Sequence, residues 1–334
     1  MNTEKNGPRI FAVIRVHLCS SVAALVLDST SSRLPERRNA YALAALFAGA
    51  SAIATSALFV KVSETGPVVT AFWRVALALP LLWLWASRTK RPVAHAGNRA
   101  LLWGAGFFFA GDLAVWHWSI VLTSVANATL LANFAPIFVT LAAWLMFRKR
   151  PGASFLAAMS VALAGMLLLI GPDFALSGYV WLGDMLGVIT AVFYAAYQIT
   201  VNRARVHMST ARIMAVSSTI TAVFLVPVAA LSGEGWFPAT AYGWLKLAGL
   251  ALVAQVAGQS LIAYALAHLS TLFASVGLLL QPVVAAILAW ALLGERISAW
   301  QMAGGALVLA GIGAARIAEQ AKTTHGQDLQ DLQD

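Results

Sequence analysis

The sequence predicts an all-α integral membrane protein of ten transmembrane helices, built as two inverted five-helix repeats. Three observations carry this. First, 60% of the 334 residues are hydrophobic and only 10% are charged, with a mean hydropathy of +0.79; a water-soluble chain of this length carries closer to a quarter charged residues. Second, ten apolar segments are each about long enough to cross the hydrocarbon as a helix. Third, the chain repeats itself. At an offset of 146, Ser124, Ala128, Pro136, Trp144, Arg150 and Gly165 match Ser270, Ala274, Pro282, Trp290, Arg296 and Gly311. Upstream the offset is 147, so that Pro80 meets Pro227 and Gly111 meets Gly258. Duplication of an apolar unit is a common way to build a membrane protein with a site between its halves.

Only a helix or a closed barrel satisfies its own backbone in lipid, so each apolar segment reads as a helix. The first five run over Tyr41 to Val60, Val68 to Ala86, Ala100 to Leu122, Val125 to Phe147 and Ala153 to Ile170. The second five run over Val180 to Thr200, Ile213 to Leu231, Leu247 to Leu269, Thr271 to Leu293 and Trp300 to Ile317. Residues 41–171 therefore form the first repeat and 180–317 the second. Residues 1–40 are an N-terminal extension, read as cytoplasmic. Its apolar stretch Ile10 to Leu27 is interrupted by Arg15 and His17, which leaves two readings open: an interfacial helix, or a start assigned too far upstream. Residues 318–334 are polar and read as a disordered cytoplasmic tail.

Charge sets the orientation, because cytoplasmic loops carry the excess of lysine and arginine. Arg33, Arg37 and Arg38 precede the first helix; Arg88, Lys90, Arg91 and Arg99 follow the second. Arg148, Lys149 and Arg150 follow the fourth, Arg203, Arg205 and Arg212 the sixth, and Arg316 and Lys322 the tenth. These places share one side if both termini are cytoplasmic. The other side holds Lys61, Lys246 and Arg296 among acids such as Glu64, Asp173, Glu234 and Glu295. Five spans per repeat is an odd number, so the second repeat enters from the opposite face. The net charge of +9 is thus a topology signal and not a nucleic-acid surface. A lone Cys19 and the absence of a Cys/His cluster at metal spacing leave no basis for a disulfide, a metal or a cofactor.

Ionisable side chains within membrane helices are costly and mark function. Arg74 lies about 9 Å along the second helix and Asp112 about 15 Å from the matching end of the third, so the two are within reach of each other. Asp112 is the candidate for proton or ion coupling, and Arg74 for a substrate carboxylate; a permanent structural pair is the competing account. Trp116 shares the face of Asp112, whereas His117 points aside. Thr129 and Asn133 share a face of the fourth helix, with Asn127 off to the side. Pro136 and its repeat partner Pro282 break their helices, and Gln281 precedes the latter. The second half adds Tyr194 and Gln198, then Gln255 and Gln259. Trp73, Phe107 and Phe108 are further candidates for an apolar wall. Amides that merely tie helices together are the bland alternative for any one of these.

These features resemble the drug/metabolite transporter superfamily, and specifically its EamA-domain members. The likeness is carried by Phe-Trp-Arg at 72–74, Thr-Ser-Val-Ala-Asn-Ala-Thr-Leu-Leu-Ala-Asn at 123–133 with Pro136, and Leu-Leu-Gly-Glu at 292–295. It implies a carrier of the cell (inner) membrane with a central cavity, generally an exporter of amino acids or related amphipathic metabolites. Its partners would be a small-molecule substrate and the lipid bilayer, with monomer and homodimer both open. One departure stands out: the first repeat ends in Arg148-Lys149 where such repeats often carry Gly-Glu. A flippase for lipid or lipid-linked sugar and a multidrug or cation exporter are the alternatives within carriers. A membrane enzyme lacks a nucleophile-and-base constellation, and a channel lacks rings of like residues.

Overall fold

The computed structural model describes residues 37–89, 99–123, 125–146, 148, 150–170, 181–294 and 296–331. Its helices are α1 (Arg37–Lys61), α2 (Pro67–Arg88), α3 (Arg99–Leu122), α4 (Val125–Ala132 then Ala135–Leu145), α5 (Ala153–Ile170), α6 (Trp181–Arg205), α7 (Thr210–Leu231), α8 (Ala241–Ala265), α9 (Thr271–Gly277 then Leu280–Leu293) and α10 (Ala299–Asp331). Among the described residues nine of these are long and apolar enough to cross a bilayer, and α5, apolar over Ala153–Leu169, is shorter. The expected interfacial stretch at 10–27 and the charges Lys90, Arg91, Lys149, Asp173 and Glu295 lie outside the described residues.

Several helices begin or end away from the apolar limits read in the sequence. Thr240 caps α8 by accepting from the Gly243 N–H, so this helix starts six residues before Leu247 and takes in Lys246. A lysine stem lies along apolar surface while its ammonium reaches out, which hydropathy alone does not register. Ser209 likewise starts α7 by accepting from Arg212. At the end of the chain, α10 continues as helix to Asp331 through residues whose polarity suggested a disordered tail.

Proline interrupts three helices. α2 divides at Leu77 and Ala78 before Pro80, α4 at Asn133 and Phe134 before Pro136, and α9 at Leu278 and Leu279 before Pro282. Each proline removes the N–H owed to the carbonyl four residues back, and tighter three-residue bonds such as Gln281 N–H to Leu278 O (3.0 Å) take its place. Pro227, the partner of Pro80, sits inside an unbroken α7. A second irregularity has no sequence signal: residues Ala251–Gln259 of α8 wind as a π-helix.

Small residues set the tightest packing. α5 and α10 lie against each other where Gly165, Gly304 and Gly311 face backbone of the partner helix, so that a Cβ at Gly304 would collide with Leu169 N. α3 packs on α6 and α7; the Thr221 hydroxyl donates to Gly106 O (2.9 Å) across the latter contact. Large apolar side chains such as Trp83, Trp103, Phe107 and Val192 face outward, as expected for a lipid-facing surface.

On the face opposite the arginine-rich loops, the two halves close one another's helices. Glu234, from the α7–α8 loop, accepts from Val68 N (3.3 Å) and Val69 N (2.8 Å) at the start of α2. Glu64, from the α1–α2 loop, accepts from Thr240 N (3.1 Å) and Thr240 Oγ1 (2.6 Å) at the start of α8, with Lys246 Nζ at 3.8 Å. A carboxylate is stabilised at a helix N-terminus by free N–H groups and by the helix dipole. Gly66 and Gly243 leave room for this: a Cβ at either would collide with the incoming carboxylate. Trp73 adds to the clasp, donating Nε1–H to Trp236 O (2.6 Å) and meeting Trp244 edge-on at 4.9 Å.

Candidate functional site

A cavity of about 120 Å³ lies between the halves. Its first-half wall comprises Ser56 and neighbouring α1 residues, Arg74 of α2, Phe109, Asp112, Leu113 and Trp116 of α3, and Thr129, Ala132 and Asn133 of α4. The second half contributes Thr190 and Tyr194 of α6, Gln259 of α8, and Gln281, Pro282 and Ala285 of α9. The breaks of α4 and α9 border this space through Asn133 and Pro282, which is where irregular membrane backbone is tolerated. Asn133 turns its amide nitrogen back to Thr129 O (2.7 Å), so it terminates the first segment of α4 as well as facing the cavity.

Arg74 is 5% exposed, and its Nε reaches no hydrogen-bond partner. The direct pair with Asp112 anticipated from helix depth is not formed. Phe109, one turn before Asp112 on α3, takes the contact instead, with its ring centroid 6.0 Å from the guanidinium carbon. Arg74 and Asp112 therefore line one cavity without forming an ion pair with each other. Leaving a buried cation in this state is costly unless something else meets its charge.

Two predicted cavity residues lie elsewhere. Gln198 is one α-helical turn beyond Tyr194 and fully buried, with neither amide atom bonded. Gln255 donates to Ser218 Oγ (3.1 Å) on α7, within the stretch of α8 that winds as a π-helix. The side chain of Asn127 lies outside the described residues. Pro136 is buried behind the wall formed by Ala132 and Asn133. Trp73 belongs to the interhalf clasp, and Phe107 and Phe108 pack with Phe193 and Phe224. His117 is buried against its own helix, with Nδ1 at Leu113 O.

Sequence reasoning missed the α1 wall, since Ile53, Ala54 and Ala57 carry no chemical signal. It also missed Thr190, whose spacing of four from Tyr194 was available as a clue. Polar bonds tie the far wall together: Gln281 Nε2 donates to Tyr194 Oη (3.4 Å), and Tyr197 Oη donates to Gln259 Oε1 (3.4 Å). Among the described residues no three His, Cys, Asp or Glu side chains are grouped to hold a metal ion.

The model of the EamA-like transporter family matches residues 40–171 and again residues 181–315. The chain belongs to the EamA-like transporter family. Its two matched domains account for the internal repeat, and it is a multi-pass membrane transporter. A transporter of Archaeoglobus fulgidus is 25% identical, over 78% of this chain and 91% of its own length. The pseudopaline exporter of Pseudomonas aeruginosa is 25% identical over 76% of this chain and 88% of its own. A protein of Streptantibioticus cattleyicolor described as a probable terminal-alkyne amino-acid exporter is 25% identical over 67% of this chain and 74% of its own. A crystal structure with 17% identity superposes with a TM-score of 0.69, covering 84% of this chain and 98% of the other, which establishes the fold alone. In this EamA-like transporter, the cavity between the matched domains is the candidate substrate site.

Proposed function

We propose that this transporter exports amino acids or related amphipathic metabolites by alternating access, binding them in the cavity between its two domains. The observation that carries the proposal is the buried, unpaired guanidinium of Arg74 on the wall of a mainly apolar space. A guanidinium offers a planar fork of donors matched to a carboxylate, and burial strengthens the contact. Asp112, on the same cavity, suits a substrate ammonium or a transported proton, and Trp116, Phe109 and Tyr194 suit an apolar body. The names of the Pseudomonas and Streptantibioticus relatives support an exporter, the latter of an amino acid.

The test is transport in proteoliposomes after a thermal-shift screen of an amino-acid panel has found a stabilising compound. Arg74→Lys keeps the charge but loses the fork, so transport of that compound is expected to fall about tenfold or more, a loss of about 1.4 kcal/mol. Its thermal unfolding should stay near that of the parent. Asp112→Asn is expected to abolish gradient-driven accumulation while the protein still binds the compound. If Arg74→Lys transports like the parent, carboxylate recognition by Arg74 is wrong. If Asp112→Asn accumulates substrate with unchanged pH dependence, coupling through Asp112 is wrong.

A further inference from the structure

We propose that the closed half of the translocation path follows one stripe of α6, from the cavity past Gln198 to Asn202, where the Asn202–Leu266 bond is its latch. The proposal rests on the carrier function above. Thr190, Tyr194, Gln198 and Asn202 recur every four residues along α6, each neighbour sharing a face with the next and turned about 40° from it, so the four form one slowly winding stripe. The first two line the cavity. Asn202, near the end of α6 on the side of the arginine-rich loops, donates its amide nitrogen to Leu266 O at the end of α8 (2.5 Å). Between them lies Gln198, about 6 Å from each along the axis at 1.5 Å per residue.

Gln198 is the decisive residue. It is 0% exposed, and neither its amide oxygen nor its amide nitrogen bonds to any group. Its neighbours on the same face do form cross-helix bonds: Tyr194 to Gln281 of α9 and Asn202 to Leu266 of α8. An amide that tied helices together would make such a bond, and a side chain needed only to fill space would be apolar, since burying an unmet amide is unfavourable. A second conformation in which this face is wet explains why a polar group stands here. When Asn202 releases Leu266, Gln198 would face the opening path and bond to water or to the polar groups of a passing substrate. The polar stripe then extends the cavity towards the surface that bears the arginine-rich loops.

Cysteine accessibility tests the route without a known substrate. In a Cys19→Ser background, Tyr194→Cys, Gln198→Cys and the outward-facing Val192→Cys are exposed in membrane vesicles to a charged, membrane-impermeant methanethiosulfonate, applied from each face in turn. Gln198→Cys is expected to react from the face of the arginine-rich loops, at a rate that rises at least several-fold when Asn202→Ala removes the latch. Val192→Cys should stay unmodified. A second variant gives a readout that a structural role would not: Gln198→Leu should raise the Tm by relieving the unmet amide, whereas loss of a structural bond would lower it. If Tyr194→Cys reacts but Gln198→Cys stays inert in both backgrounds, or if Gln198→Leu lowers the Tm, the route is wrong while the cavity remains as the site. If Tyr194→Cys is inert from both faces, the carrier function of the cavity falls, and the route with it.

Discussion

At the scale of single residues, Glu64 shows how one carboxylate can join two halves of a chain. The hydroxyl of Thr240 holds its carboxyl below the ordinary glutamate value; partial burial opposes this, and the Thr240 N–H and the Lys246 charge assist. A carboxyl depressed in the folded state contributes stability that is fully present above its unfolded value and is lost as the pH falls through the folded one. The Glu64 clasp is therefore intact from neutrality down to the ordinary glutamate range and weakens only in stronger acid. A spin-label or fluorescence distance between the α1–α2 loop and the start of α8 should stay constant from pH 8 to pH 5 and lengthen in stronger acid. Lengthening between pH 8 and pH 6 would refute this, and so would a Glu64→Gln variant whose distance responds to acid like the parent. Any pH dependence of transport near neutrality must then arise elsewhere.

At the scale of elements, the ends of the two corresponding helices α4 and α9 share a backbone shape that their residues do not. Gly294 closes α9 with φ at 69°, in the left-handed region that glycine enters without penalty. Its repeat partner is Arg148, and that residue adopts φ of 52°. The duplicated turn thus persists where the sequence departs from the Gly-Glu ending, with a strained arginine in place of glycine. Arg148→Gly is expected to stabilise the protein by roughly 0.5–1 kcal/mol, the left-handed penalty of ~1–2 kcal/mol less the extra chain entropy of glycine. Thermal or denaturant unfolding in detergent checks this, and a lower Tm would contradict it. Other irregular elements were legible to different degrees. Proline announces the breaks in α4 and α9 through its missing N–H, whereas the π-helix of α8 arises from packing among Ala, Val, Gly and Gln and has no residue type of its own. Within that stretch Gln259 lines the cavity while Gln255 bonds to Ser218.

At the scale of the whole molecule, hydropathy and the repeat made the ten helices and their duplication readable, because lipid imposes helices of a set length. The cavity was readable where it carries charge or amide groups, as at Arg74, Asp112 and Gln281. Its α1 wall was not, because alanine and isoleucine look the same on a cavity, in a core and against lipid. Orientation is the remaining whole-molecule property, and from the excess of arginine in the loops on one side we propose that both termini are cytoplasmic. Arg150→Cys, in a Cys19→Ser background, is expected to react with an impermeant thiol reagent only after the cytoplasmic face is exposed. Reaction in intact cells would invert the assignment.

The exchanged carboxylates also bear on what counts as a folding unit. Each domain carries the group that completes a helix of the other: Glu234 finishes α2, and Glu64 finishes α8. A separated first half would keep Pro67 at the head of α2, but the N–H groups of Val68 and Val69 would lose their acceptor. A separated second half would keep the Thr240 cap on α8, but the Thr240 N–H and hydroxyl would lose the Glu64 carboxylate. The two repeats match the same family model, yet each leaves a helix start that the other half meets, so two fragments on separate chains are expected to pair through this exchange.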